Sequence, residues 1–215
     1  DFEDDGNGVR YISINEFVDG MGTTDDYFAR VEGATKEVYV SGIGATGQIL
    51  SLETEDYTGF NGAYYYAAED TDDLEGQGNP NGADLKVIVF NTIDIAGYAD
   101  LEFSGLFAAN SLDCGASRYD IEEKMEIYYS VDGAPFSQAL CFRADLECSG
   151  AGDITNESFN QDTNCDGDGD GQQLLPAFVP FSFSIPETGT SMNLRIEVVA
   201  DASGEEMAFD YLRVT

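Results

Sequence analysis

Along most of the chain, hydrophobic and polar residues alternate with a period of two in short runs punctuated by glycine, aspartate and asparagine. That period places successive side chains on opposite faces of an extended strand, so it predicts half-buried β-strands joined by turns. Leu101, Phe103, Gly105 and Phe107 fall on one face, with Glu102 and Ser104 on the other. Met125, Ile127, Tyr129 and Val131 alternate in the same way and run into Asp132-Gly133, a type I′ hairpin signal, before a returning strand over 136–142. The same pattern predicts strands over 9–17, 27–31, 37–40, 48–52 and 64–68, then 179–185, 194–198 and 207–214. Residues 85–90 are apolar apart from Lys86, the pattern of a strand buried on both faces. Residues 41–47 are glycine-rich and predict a loop, and only 119–123 reads as a turn of helix. About a dozen short antiparallel strands predict an all-β fold, a jelly-roll β-sandwich with long acidic loops. No break in composition divides the chain, so residues 1–215 read as one domain with an Asp-rich insertion at about 143–174.

Charge changes the picture. The 215 residues hold 42 acidic against 9 basic side chains, a net charge of −33, with no histidine and no tryptophan. Phosphate backbones and anionic membrane surfaces attract basic proteins, so nucleic acid and membrane surfaces are poor partners for this chain. Self-repulsion on this scale is relieved by salt or by bound cations. Without histidine, the Ser-His and Cys-His nucleophile systems are absent. A glycosidase or lyase needs only carboxylates, but the sequence singles out no pair.

The candidate chemistry centres on Asp162, Asn164, Asp166, Asp168 and Asp170, oxygen donors at every second position with Gly167, Gly169 and Gly171 between or beside them. Converging carboxylates need a hard cation, and calcium takes about six to eight oxygen ligands in irregular geometry. The competing reading is a solvated acidic loop. A second acidic stretch, Glu69, Asp70, Asp72 and Asp73, is a further candidate calcium site or a solvated turn. The cysteines, Cys114, Cys141, Cys148 and Cys165, suggest disulfides and an oxidising compartment. Three connectivities are open. Cys148–Cys165, closing the acidic loop, with Cys114–Cys141, is favoured over a zinc site, which would want C-x-x-C spacing or histidine. No apolar run nears the roughly 20 residues of a membrane span. The chain reads as a secreted product trimmed at Asp1, with an Asn156-Glu157-Ser158 sequon.

Asp162 to Asp170 resembles the aspartate-rich loops of thrombospondin type 3 repeats. It also meets the first half of the EF-hand signature at Asp162, Asn164, Asp166 and Gly167, but Gln173 stands where an EF-hand needs its bidentate Glu. The last strand, Phe209-Asp210-Tyr211-Leu212-Arg213-Val214, resembles the closing phrase of jelly-roll carbohydrate-binding modules and secreted marine-bacterial modules, and Phe2-Glu3 resembles their opening. That resemblance implies a structural calcium between Asp210 and an N-terminal acidic residue, with Glu3 the match and Asp4 and Asp5 beside it. Alternation places Asp210 on a face with Leu212 and Val214. Tyr64 and Tyr66 face opposite to Tyr65, and strand tyrosines serve a core more often than a sugar. The resulting expectation is a secreted, calcium-stabilised binding or adhesion module recognising an extracellular glycan or protein ligand. The alternative is a self-associating structural subunit of a calcium-dependent assembly.

Overall fold

The computed structural model of the protein describes residues 2–14, 16–19, 26–41, 44–48, 56–71, 85–111, 119–147, 157–201 and 204–215. Among them the chain forms fifteen strands and no helix. In chain order these are β1 (Tyr11–Ile14), β2 (Phe17–Asp19), β3 (Asp26–Glu32), β4 (Glu37–Val40), β5 (Gly44–Gln48), β6 (Tyr64–Glu69), β7 (Lys86–Phe90) and β8 (Ile93–Asp94). They continue with β9 (Leu101–Ala109), β10 (Lys124–Val131), β11 (Ser137–Ala144), β12 (Phe159–Asp162), β13 (Val179–Ile185), β14 (Ser191–Val199) and β15 (Met207–Val214). One sheet runs β1-β7-β14-β10-β11-β12, with β8 also on β14; the other runs β13-β9-β15-β6-β3-β4-β5, with β2 on β3. All the named strand pairs are antiparallel. The fold is therefore a β-sandwich of the predicted class.

The alternating faces meet between the sheets. Ile88, Met125, Ile127, Leu194 and Ile196 from one sheet pack with Tyr66, Phe103, Phe107 and Phe209 from the other. A second cluster lies on the far side of the second sheet, where Tyr57, Tyr65 and Phe178 pack over Tyr27, Val31 and a row of small residues. That row is Ala29, Ala67, Ala208 and Ala108, each directly opposite the next across β3, β6, β15 and β9. Alanine leaves a flat floor on which aromatic rings can rest. The two strips that cover it are tied by Thr58 N–H to Pro176 O (3.0 Å) and Phe178 N–H to Thr58 O (2.8 Å).

Several expectations change. Residues 9–17 are not one strand: β1 and β2 belong to different sheets. Part of the predicted loop 41–47 is β5, and of predicted strand 48–52 only Gln48 is described, at the end of β5. β7 has an open side, with Val87 and Val89 half-buried, while Lys86 is buried with its ammonium 4.7 Å from the Phe17 ring. The 119–123 turn is not helical, and Tyr119 bridges to Glu157 instead. Asp132 and Gly133 both have positive φ, 49° and 74°, as a type I′ turn requires.

Candidate functional site

The Asp-rich loop leaves the end of β12 and is held by its own backbone. Asp162 is buried, and its carboxylate accepts the N–H groups of Asn164 (3.3 Å), Asp166 (3.2 Å) and Gly167 (2.8 Å). Asn164 Oδ1 accepts the Asp166 N–H at 3.0 Å, and its amide donates to Asp166 Oδ2 at 3.1 Å. Asp168 turns away to accept the Leu146 N–H at 3.0 Å. Asp170 accepts from the Thr163 N–H (2.9 Å) and hydroxyl (2.8 Å), which hold its carboxyl below the usual range. No three carboxylates of this loop are gathered round one point. The five oxygen-bearing residues are thus occupied within the protein by backbone and side-chain donors, with Asp168 Oδ1 and the Asp170 carboxylate engaged by Leu146 and Thr163.

The loop's staple differs from the expected one. Cys165 is bonded to Cys141 of β11, with Cα atoms 5.6 Å apart, which overturns both Cys148–Cys165 and Cys114–Cys141. The reason is register: β11 and β12 place Asp162 opposite Cys141, so the chain turning back after Asp162 carries Cys165 to that strand. Cys114 and Cys148 lie outside the described residues, as do Asp72 and Asp73.

Asp210 and Glu3 are brought to one short segment. Asp210 is fully buried; its Oδ2 accepts the Asn61 N–H at 2.7 Å and its Oδ1 the N–H of Tyr211 at 2.6 Å. Glu3 Oε1 accepts the N–H groups of Ala63 (2.8 Å) and Tyr64 (3.0 Å). The Glu3 carboxylate lies where a Cβ on Gly62 would stand, and Gly62 has φ +88°, so only glycine suits that position. Desolvation, with a contribution from Glu3, pushes the Asp210 carboxyl up to about 7. No lysine or arginine among the described residues pairs with either carboxylate. Asp4 and Asp5 go elsewhere: Asp4 O accepts from Arg10 (2.7 Å), and Asp5 accepts from Asn7 and Ser41. The alternation expected at the last strand fails. The register shifts between Asp210 and Arg213, and Tyr211 takes φ +52°. Asp210 therefore sits opposite Leu106, beside the second cluster, while Leu212 and Val214 pack against the core between the sheets. Such a bulge re-aims one side chain out of an otherwise regular strand.

A third acidic group was not singled out by the sequence. Oxygens of Asp120, Glu123 and Asp201 all lie within 4.8 Å of one another. β10 and β14 pair with Lys124 opposite Val199, so Glu123 and Asp201 flank the same end of that ladder. Glu123 is fully buried; its Oε2 accepts the Asp120 N–H, and its Oε1 has no hydrogen-bond partner. Burial, then the charge of Glu205 and the contact with Asp201, raise its carboxyl to about 11. Glu205 in turn accepts the Asp201 N–H at 3.0 Å. Glu69 of the second acidic stretch reaches the same corner, where its Oε1 accepts the Gly204 N–H at 2.9 Å. Asp70 follows it in a left-handed conformation, φ +43°.

A cleft of about 170 Å³ opens between β1 and β7 on one side and β15 on the other. Phe2, Tyr11, Phe90 and Leu212 supply apolar wall; Arg10, Asn91 and Arg213 supply polar groups. Of the three consecutive tyrosines, Tyr66 is in the main core and Tyr65 in the second cluster, while Tyr64 is half-buried under the Arg30 guanidinium, 4.6 Å from its ring centre.

No family model matches the chain, and no curated protein matches it in sequence. Among solved structures it is similar to the K3 cleaved adhesin domain of Lys-gingipain (Kgp) from Porphyromonas gingivalis w83, with 12% identity over 87% of this chain and 91% of that chain, at a TM-score of 0.39. At that level the likeness identifies neither ligand nor site.

Proposed function

We propose that the protein is a secreted, calcium-stabilised β-sandwich module that binds an extracellular glycan bearing carboxylate or sulfate groups. The observation that carries this reading is the cleft: two of the chain's nine basic residues, Arg10 and Arg213, stand at one opening with an aromatic and aliphatic wall. Sugar rings lie on such walls, and guanidinium forks pair with carboxylate or sulfate. The net charge that makes nucleic acid a poor partner also opposes a densely charged polyanion, so the ligand this cleft suits is a sparsely charged glycan held between the two arginines.

Calcium enters through Glu3 and Asp210. Two carboxylates without a basic side-chain partner, meeting at backbone turn 61–64, fit an oxygen-seeking cation. The same two chain segments build the cleft, since Phe2 precedes Glu3 and Arg213 follows Asp210 on β15. An ion there supplies positive charge that holds the two segments together; the residues themselves shape the cleft and orient the ligand. The disulfide agrees with an oxidising, extracellular setting.

The test is binding of uronic-acid and sulfated polysaccharides against neutral ones, in calcium and in chelator. Arg10→Ala and Arg213→Ala should abolish binding while leaving the melting curve in place. Equal binding of neutral polymers, or no binding to any, overturns the reading.

A second reading, subunit of an assembly, is favoured by β1. Ile12 and Ile14 on this strand and Val9 beside it are exposed. Residues 6–8 cover the strand's free edge, through Tyr11 N–H to Gly6 O, Gly8 N–H to Tyr11 O and Ser13 N–H to Asn7 Oδ1, so what β1 offers a neighbour is apolar side chains. Calcium- and concentration-dependent sedimentation of the protein would support it over the first.

A further inference from the structure

We infer that Asp120, Glu123 and Asp201 form a second divalent-cation site, calcium by its chemistry, separate from Glu3 and Asp210. Ligands at about 2.4 Å from a common ion lie at most about 4.8 Å apart, and these three side chains already place oxygens within 4.8 Å of one another. Clustered surface acids do that often. What sets this group apart is Glu123, which is fully buried with Oε1 unpartnered. A buried carboxylate oxygen without a donor is retained only if something positive meets it.

No lysine or arginine among the described residues fills that role. The nearest in sequence, Lys124, is turned to Glu126 (3.0 Å) and Glu197 (3.2 Å). A proton satisfies one carboxylate contact, yet three carboxylates converge and Glu205 stands behind Asp201. A divalent cation neutralises two charges at once. The donor set is all oxygen, in a chain with no histidine, which excludes a zinc or copper preference. Magnesium demands near-ideal octahedral geometry and keeps its waters, whereas three carboxylates on two independent segments suit the flexible shell of calcium. The ion would clamp the turn that enters β10 to the segment that leaves β14, just where the β10–β14 ladder ends. The Glu3–Asp210 pair, in contrast, joins the N-terminal segment to β15.

The experiment counts ions. Equilibrium dialysis of the full chain with radioactive calcium, at fixed high sodium chloride, is compared across variants. Glu123→Gln and Asp201→Asn should each bind one ion fewer per chain than the unaltered protein. Asp120→Asn should weaken that ion at least tenfold. In chelator, Glu123→Gln should melt close to the unaltered protein, because the amide replaces a carboxyl that burial keeps uncharged there; this also shows that it folds. Should the variant of buried Glu123 fail to fold, the half-buried Asp120→Asn and Asp201→Asn decide the matter. Unchanged stoichiometry and affinity in Asp120→Asn and in every variant that folds overturn the site. Glu3→Gln and Asp210→Asn report on the other ion independently: loss there with no loss at Glu123 refutes this site only, and the converse refutes the Glu3–Asp210 calcium only.

Discussion

Cys141 of β11 is bonded to Cys165 in the acidic loop that follows β12, and Cys141 faces Asp162, the first aspartate of that loop. The bond is therefore a tether from the loop to the body of the first sheet, closing a sequence separation of 24. Loop-closure entropy assigns such a cross-link roughly 3 kcal/mol. In a protein of this size the Cys141→Ala/Cys165→Ala double variant should melt about 6–12 °C lower, read by calorimetry.

Within the loop, burial separates the aspartates. Asp162→Ala strands the N–H groups of Asn164 and Gly167, while the Asp166 N–H keeps Asn164 Oδ1, and should cost about 1–3 kcal/mol in denaturant unfolding. Exposed Asp166, whose carboxylate meets only the Asn164 side chain, should change stability by no more than about 0.5 kcal/mol when replaced by Ala.

Asp210 gives a pH dependence with a definite sign. Its folded value, about 7, stands above the unfolded carboxylate value of about 4. The folded state thus holds a proton that the unfolded state has lost. In chelator its contribution is complete below about pH 4 and declines as pH rises to about 7. Burial makes this a contribution of a few kcal/mol at most. Asp210→Asn should flatten that slope, and calcium should flatten it in the unaltered protein by favouring the carboxylate. An unfolding free energy equally steep in all three cases would sink the role given to Asp210.

The alanine row predicts intolerance of size. Ala67→Leu, between Ala29 and Ala208 with Tyr57, Tyr65 and Phe178 packed on that face, should cost about 1–3 kcal/mol by overpacking. Urea unfolding measures it directly.

Much of the strand pattern was legible because period-two alternation reports burial on one face. β13 and β15 have the bounds read from sequence, and the Asp132-Gly133 turn falls where its residues demanded it. Resemblance at the two chain ends singled out Glu3 and Asp210, and both accept hydrogen bonds from segment 61–64; the calcium expected between them belongs to the proposed function. What remained hidden depends on register between distant segments. Nothing near Cys165 indicates that β11 lies beside it, and nothing near Glu123 indicates that β14 ends there. The shift between Asp210 and Arg213 broke the alternation at the residue where it mattered most. The second cluster escaped notice because Ala29, Ala67, Ala108 and Ala208 are too small to stand out from polar neighbours in a periodic pattern.

Covering that alanine floor has a consequence for where recognition takes place. Open β-sandwiches commonly offer a broad sheet face to extended polymers, but here Tyr57, Phe60 and Phe178 roof over the middle of the second sheet. A chain-like ligand has no track to follow on that side. Under the proposed function, contact would then be end-on, at the rim where Arg10 and Arg213 stand, or on the opposite sheet, where the Arg195 guanidinium lies between the rings of Tyr128 and Phe136 at 4.7 and 4.5 Å. A ligand held at the rim would be gripped by a terminus or a short branch rather than along its length.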